Sequence, residues 1–258
     1  MRLMGIDIGG SGVKGAVVDT RKGVFVTDRL RLETPQPATP EAVTEQVDRI
    51  AHHFEWNGPI GVTFPGVVTH GHVRTAANLD PSWIDADARR LFTKATGLPV
   101  ALINDADAAA VAEQAFGAAR KVVGVVVMVT LGTGIGTALI NDGQLVPNLE
   151  LGHLEVDGRD VETFTAASAR EREGLSFDEW AKRLSVYFST LEQLLWPDLF
   201  VVGGGVSKNS DPWLPKVRCR TPLVPARLRN KAGIVGAALH VEREHESDRA
   251  AHLGEATE

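Results

Sequence analysis

Short β-branched runs and two stretches of helical spacing organise the first half of the chain. Met4 to Ile8 leads directly into Gly9-Gly10-Ser11-Gly12. Val13 to Val18 and Val24 to Leu32 then predict two more strands, joined by a turn at Arg21-Lys22-Gly23. Thr39-Pro40 reads as an N-cap with proline at the first helical position, and Val43, Val47, Ile50, Ala51 and Phe54 follow at helical spacing. Ile60 to Phe64 and Val100 to Ile103 are short apolar strands, separated by a helix carrying Ile84, Ala88, Leu91, Phe92 and Ala95. The half reads βββαβαβ.

The second half opens the same way. VVVMVTLGTGIGTALINDG can be laid on RLMGIDIGGSGVKGAVVDT, with Thr130-Leu131-Gly132 falling on Asp7-Ile8-Gly9. Ser176 and Glu179 form a capping box before a long helix whose buried face is Trp180, Leu184, Tyr187, Phe188, Leu191 and Leu195, stopped by Pro197. A buried strand, Leu199 to Val202, runs into Gly203-Gly204-Gly205, and a small-residue helix follows over Ala232 to Val241. Two similar halves imply two α/β lobes facing a central cleft. The expected division is a small lobe over 1–104 completed by the helix 232–241, a larger lobe over 105–231, and a polar tail over 242–258 that frays.

Composition narrows the class. With 258 residues, 43% of them hydrophobic, the chain is long enough for two modest cores. The one cysteine, Cys219, excludes an internal disulfide and a cysteine-rich zinc site and fits a reducing compartment, so a cytoplasmic protein is expected. No apolar run approaches membrane-spanning length, and no membrane association is expected. A net charge of −6 argues against general nucleic-acid binding, and any polyphosphate contact needs a local basic groove.

Three glycine loops follow predicted strands: Gly9-Gly10-Ser11-Gly12, Gly132-Thr133-Gly134 and Gly203-Gly204-Gly205. Glycine lets backbone N–H groups close on an anion, and Ser11 or Thr133 adds a hydroxyl donor, so together they describe a phosphate clamp. Neither a Walker A spacing nor a dinucleotide fingerprint is present. Tight hairpin turns are the plainer alternative. Asn104-Asp105 ends an apolar strand just before an alanine-rich helix, where Asp105 is placed to take a proton from an acceptor hydroxyl; helix capping is the competing role. Glu150-Leu151-Gly152-His153, with Glu155 and Glu162 beyond it, offers partners for a hydroxyl-rich sugar, although a solvated acidic loop is the plainer reading of the residues. Asp7, at the edge of the first loop, is a candidate for holding Mg²⁺ through water.

The motifs GIDIGGSGVKGA, NDADAAAVAE, VTLGTGIGTAL, ELGH and VVGGGVS, in that order, resemble the ROK sugar kinases over nearly the whole chain. VTFPGVVTHGHVRTAANLDPSW resembles the branch of polyphosphate glucokinases and glucomannokinases. The resemblance implies two ribonuclease-H-like lobes of the actin-like, hexokinase-type fold. It implies Asp105 as the base toward the sugar 6-hydroxyl, with Asn78, Asn104, Glu150, His153 and Glu162 holding the ring. The donor would bind at Gly9, Gly10, Ser11, Gly12, Lys14, Thr130, Gly132, Thr133, Gly134, Gly204 and Gly205. Mg²⁺ is the implied cofactor, with polyphosphate or ATP as donor and glucose or mannose as acceptor, in a monomer or homodimer. Two departures stand out: Lys14 follows Ser11-Gly12-Val13, and Leu154-Glu155-Val156-Asp157-Gly158 replaces the family's cysteine cluster, so no structural zinc is expected. Polyphosphate also needs cations along its path. Lys216, Arg218 and Arg220, then Arg227, Arg229 and Lys231, recur every second residue and would line one side of extended segments, as a groove or as a solvated edge. Rival readings are an ATP-only hexose or amino-sugar kinase and a sugar-sensing protein without catalysis.

Overall fold

The computed structural model describes residues 1–77 and 79–255, with side chains as far as Glu246. The chain divides into two units, Met1–Ala112 with Lys231–Glu258, and Glu113–Asn230. The first division falls inside a helix, eight residues beyond the Asn104/Asp105 boundary expected from the sequence.

In the first unit, β1 (Arg2–Gly9) pairs antiparallel with β2 (Gly12–Asp19), and both β3 (Val24–Phe25) and β4 (Leu30–Leu32) add to β2. The stretch expected as one strand is therefore two. Between them the Thr27 hydroxyl, in place of a backbone carbonyl, accepts from Val17 N at 3.1 Å and interrupts the ladder. Helix α1 (Pro40–His53) is capped by Thr39, whose hydroxyl accepts from Ala42 N at 3.3 Å. Strand β5 (Ile60–Phe64) lies parallel to β1, and a small hairpin, β6 (Val68–Thr69) and β7 (His72–Val73), follows. Helix α2 (Ala88–Thr96) starts later than the apolar spacing suggests: Asp87 caps it, and Ile84 is 53% exposed outside it. Strand β8 (Val100–Asn104) completes the order β3-β2-β1-β5-β8 and leads into α3 (Asp105–Phe116).

The second unit repeats this plan with β9 (Val125–Leu131), β10 (Ile135–Asn141) and β11 (Gln144–Val146) as its antiparallel start. A hairpin, β12 (Glu155–Val156) and β13 (Arg159–Asp160), and helices α4 (Glu162–Thr165) and α5 (Ala167–Glu173) follow. Helix α6 (Phe177–Leu195) carries the full Ser176/Glu179 capping box, worth about 1 kcal/mol. Strands β14 (Leu199–Gly203) and β15 (Leu223–Pro225) complete the order β11-β10-β9-β14-β15.

Helix α7 (Ala232–Glu255) returns to the first unit and is one continuous helix, where the sequence suggested an end near Val241 and a frayed tail. Its polar residues are tethered. Glu242 accepts from the Thr20 hydroxyl at 2.6 Å and the Met1 ammonium at 3.3 Å, and Glu244 pairs with Arg89 at 3.0 Å.

The two faces of the first sheet follow from strand alternation. Met4, Ile6 and Ile8 join Val43, Val47 and Ile50 of α1 in one buried cluster. Gly5 and Gly61 point the other way, against the α7 backbone, where an added Cβ would overlap the carbonyls of Ile234 and Ala237. In the second unit Val127, Val129, Phe200 and Val202 pack against Trp180, Leu184, Tyr187 and Phe188 of α6.

Candidate active site

The first unit places Asp7, Lys14 and Thr63 together. Asp7 is paired in register with Lys14 across the β1–β2 hairpin and with Thr63 of β5. The Lys14 ammonium donates to Asp7 Oδ2 at 3.2 Å and the Thr63 hydroxyl to Oδ1 at 2.9 Å. All three lie on the face that α7 covers, and Gly233 leaves room for Asp7 there, since a Cβ would stand 2.8 Å from Oδ1. The loop Gly9-Gly10-Ser11-Gly12 joins the two strands beside them. The Thr34 hydroxyl donates to Gly9 O at 2.5 Å, and Arg31 Nη2 to Ser11 O at 2.8 Å.

Asn104 and Asp105 divide the two roles open to them. Asn104 Oδ1 accepts from Ala106 N at 2.8 Å and Asp107 N at 3.0 Å, so Asn104 caps α3, while its Nδ2 donates to Gly66 O at 3.0 Å. Asn104 is buried and Asp105 is exposed at the first turn of the helix, its Oδ1 accepting from Ala106 N at 2.9 Å. Asn78, expected on the sugar ring, lies outside the described residues.

The second unit assembles Glu150, His153 and Glu162. A one-turn 3-10 helix over Leu151–His153 is fixed by Tyr187, whose hydroxyl donates to Leu151 O at 3.2 Å, and by Thr137, which accepts from Leu151 N at 3.0 Å. Gly152 is packed so closely on β10 that a Cβ would overlap Ile135 O. His153 Nδ1 bonds Asp160 Oδ2 at 3.0 Å and its Nε2 lies 3.9 Å from Glu150. The Asp160 hydrogen bond raises the His153 pKa above its ordinary value, and partial desolvation raises that of Glu150. Asp160 was not singled out from the sequence. Its signal was Asp157-Gly158, a strong two-residue hairpin turn, which brings position 160 back beside 155.

Glu162 sits at the second glycine loop. Its Oε2 accepts from Ile135 N at 2.7 Å, and a Cβ on Gly134 would overlap it. The Ser168 hydroxyl donates to Thr133 O at 2.6 Å, Gly132 O accepts from Ser168 N at 3.1 Å, and the Thr130 hydroxyl donates to Gly136 O at 3.3 Å. Gly204 has φ +84° and lies against the Leu131 carbonyl, so the third glycine run abuts the strand that feeds Gly132. Gly205 follows in a short 3-10 turn.

The basic stretches do not form extended rows. Lys216 ends a 3-10 turn and pairs with Asp178 at 2.5 Å, Arg220 pairs with Glu192 at 3.0 Å and covers Trp196, and Arg229 and Lys231 lie in another 3-10 turn. Pro215, Pro222 and Pro225 beside these residues break the alternation that one-sided projection requires. Among the described residues no group of three or more His, Cys, Asp or Glu is arranged to hold a metal, and no helix is long and apolar enough to cross a membrane.

Residues 3–174 match the ROK family. The chain belongs to that family. It is 50% identical over 236 residues to a polyphosphate glucokinase of Mycobacterium tuberculosis, covering 91% of this chain and 89% of the relative. The crystal structure of an inorganic polyphosphate/ATP-glucomannokinase from Arthrobacter sp. strain KM superposes with TM-score 0.90 at 54% identity, covering 95% of this chain and 99% of that one. A ROK glucokinase from Streptomyces griseus, in complex with glucose and AMPPNP, shares the fold at TM-score 0.81 and 24% identity, covering 94% of this chain and 100% of that one. The fold is thus the actin-like one of the ROK sugar kinases, as the motifs implied.

Proposed function

We propose that this ROK protein transfers the terminal phosphoryl group of inorganic polyphosphate, and of ATP, to the 6-hydroxyl of glucose, with mannose as a second acceptor. Asp105 is the general base in this reading. The observation that carries it is the division between neighbours: buried Asn104 holds the start of α3 through Ala106 N and Asp107 N, whereas Asp105 stands exposed at the first turn, directly after the end of β8. The names of the relatives support the donor and the acceptors.

Asp105 takes the proton of the sugar 6-hydroxyl as that oxygen bonds to the terminal phosphorus. The bridging P–O bond breaks, and the shortened phosphate chain departs with its electrons. Asn104, Glu150, His153 and Glu162, with Asn78, are assigned to the sugar. The exposed Glu150 and the Asp160-anchored His153 supply one acceptor-rich and one donor-rich group for ring hydroxyls. The loops at Gly9, Gly10, Ser11 and Gly12, at Thr130, Gly132, Thr133 and Gly134, and at Gly204 and Gly205 are assigned to the donor with Lys14.

Mg²⁺ would be held in the first unit through Asp7, directly or through its water shell. Both Asp7 oxygens accept hydrogen bonds, and Asp7 offers the ion a single carboxylate. When bound with the donor, Mg²⁺ neutralises phosphate charge. The reading places the enzyme in the cytoplasm.

The test is glucose 6-phosphate formation by the purified protein with Mg²⁺, comparing long-chain polyphosphate with ATP and glucose with mannose. Product from polyphosphate is the expected result. Product from ATP alone removes polyphosphate from the reading, and product from neither overturns it.

A further inference from the structure

The register of the first sheet aligns a row of side chains that reaches one residue further than the motifs. Arg31 of β4 stands directly opposite Lys14 of β2, which stands opposite Asp7 of β1, which is in register with Thr63 of β5. Directly opposed residues project to one face of a sheet, so Arg31, Lys14, Asp7 and Thr63 form a line across four strands. Two cations and one anion occupy it. Like charges directly opposed destabilise a ladder, and Asp7 offsets only Lys14.

Arg31 is exposed and has no carboxylate within salt-bridge distance among the described residues. Its Nη2 donates to Ser11 O at 2.8 Å, one of the five N–H donors a guanidinium carries. The group lies flat against the loop: a Cβ on Gly12 would stand 2.8 Å from its Nε and 3.1 Å from its Cζ. At the loop's other end, Lys14 Nζ would stand 3.8 Å from a Cβ on Gly9. The glycine loop is bracketed by two cations, Arg31 lying close over Gly12 and Lys14 near Gly9.

We propose that Arg31 grips donor phosphates beyond the one being transferred, and so favours polyphosphate over ATP. The inference rests on the function proposed above. Strand order carries the direction. Asp105 follows β8 at one edge of the sheet, and Arg31 lies on β4, beyond Lys14, toward the other. Each strand step is about 4.8 Å, so Arg31 stands one step farther from the base than Lys14 does. A donor charged along its whole length gains from every added cation, whereas a nucleotide ends its charge after three phosphates. A guanidinium also presents a planar fork that matches phosphate oxygens.

The experiment compares wild type, Arg31→Gln, Arg31→Lys and the charge-matched surface control Arg49→Gln. Glutamine keeps a donor for Ser11 O and removes the charge. Arg31→Gln is expected to raise KM for long-chain polyphosphate about tenfold and KM for ATP by less. Glucose KM should stay constant, and the salt dependence of polyphosphate binding should fall by about one ion. Arg31→Lys should recover part of the loss, and Arg49→Gln should match wild type. An unchanged polyphosphate KM in Arg31→Gln overturns the inference. Equal losses with both donors also overturn it, since they mean a clasp on the loop and nothing more. Calorimetric binding of polyphosphate to wild type and Arg31→Gln decides the matter even if neither donor is turned over. In that case the functional reading fails, and Arg31 is still judged by the affinity difference.

Discussion

Gly5 and Gly61 let α7 lie directly on the first sheet, whereas the second sheet is covered by α6 through Trp180, Leu184, Tyr187 and Phe188. Strand order is the same in both units, with an antiparallel hairpin followed by parallel strands. The α7 face of the first sheet is thus sealed by backbone on backbone, whereas its α1 face and the α6 face of the second sheet are sealed by interlocking side chains. The hairpins differ in a parallel way. Where the first sets Asp7 against Lys14, the second sets Thr130 against Gly136, and its charged groups lie beyond the hairpin at Glu150, His153 and Glu162. A repeated topology fixes where strands and loops go. It leaves open which repeat carries the charge and how tightly each is packed.

The largest test of that contrast is catalytic. Asp105→Ala in the first unit should lower kcat about 10²- to 10⁴-fold with glucose affinity nearly unchanged, because a base acts mainly in the transition state. Glu150→Ala in the second should act mainly on glucose KM, and the pair of steady-state measurements separates the roles. Packing gives the next effect. Gly61→Ala drives a methyl group into the α7 backbone and should cost about 3 kcal/mol in urea unfolding, whereas Leu184→Met in α6 should cost under about 1.5 kcal/mol. Equal costs would erase the distinction between the two kinds of core. Asn104→Ala removes a cap and should cost about 1 kcal/mol, with a larger loss of turnover as Asp105 loses its fixed neighbour.

The smallest effect depends on pH. His153 binds its proton more tightly when folded, chiefly through Asp160, so the stability this contributes is complete below about pH 6.5 and is lost as pH rises through the raised native pKa. Both partners are over a third exposed, which keeps the effect under about 1 kcal/mol. Melting curves of wild type and Asp160→Asn between about pH 6 and pH 9 should differ in slope, the variant being flatter.

Much of this was legible in the chain. Alternation and glycine breaks gave the β1–β2 and β9–β10 hairpins, and the Ser176/Glu179 box gave the start of α6, because these signals are local. The length of α7 was not legible, since Glu242 and Glu244 look like a solvated tail until Thr20, Met1 and Arg89 stand beside them. Arg31 escaped for a similar reason. Its alignment with Lys14 depends on the register of a three-residue strand reached after a broken ladder. Asp160 could have been found from Asp157-Gly158. The break at Ala112/Glu113 inside α3 carries no sequence punctuation at all.

The return of α7 to the first sheet also bears on how the protein is made. The ribosome releases β1, β2, β5 and β8 early, but the helix that covers Gly5 and Gly61 leaves only after the whole second unit. The second unit, continuous from Glu113 to Asn230, is fully synthesised before then. The half of the protein that begins first must therefore finish second. Until α7 emerges, the face of the nascent sheet that carries Gly5 and Gly61 stays uncovered.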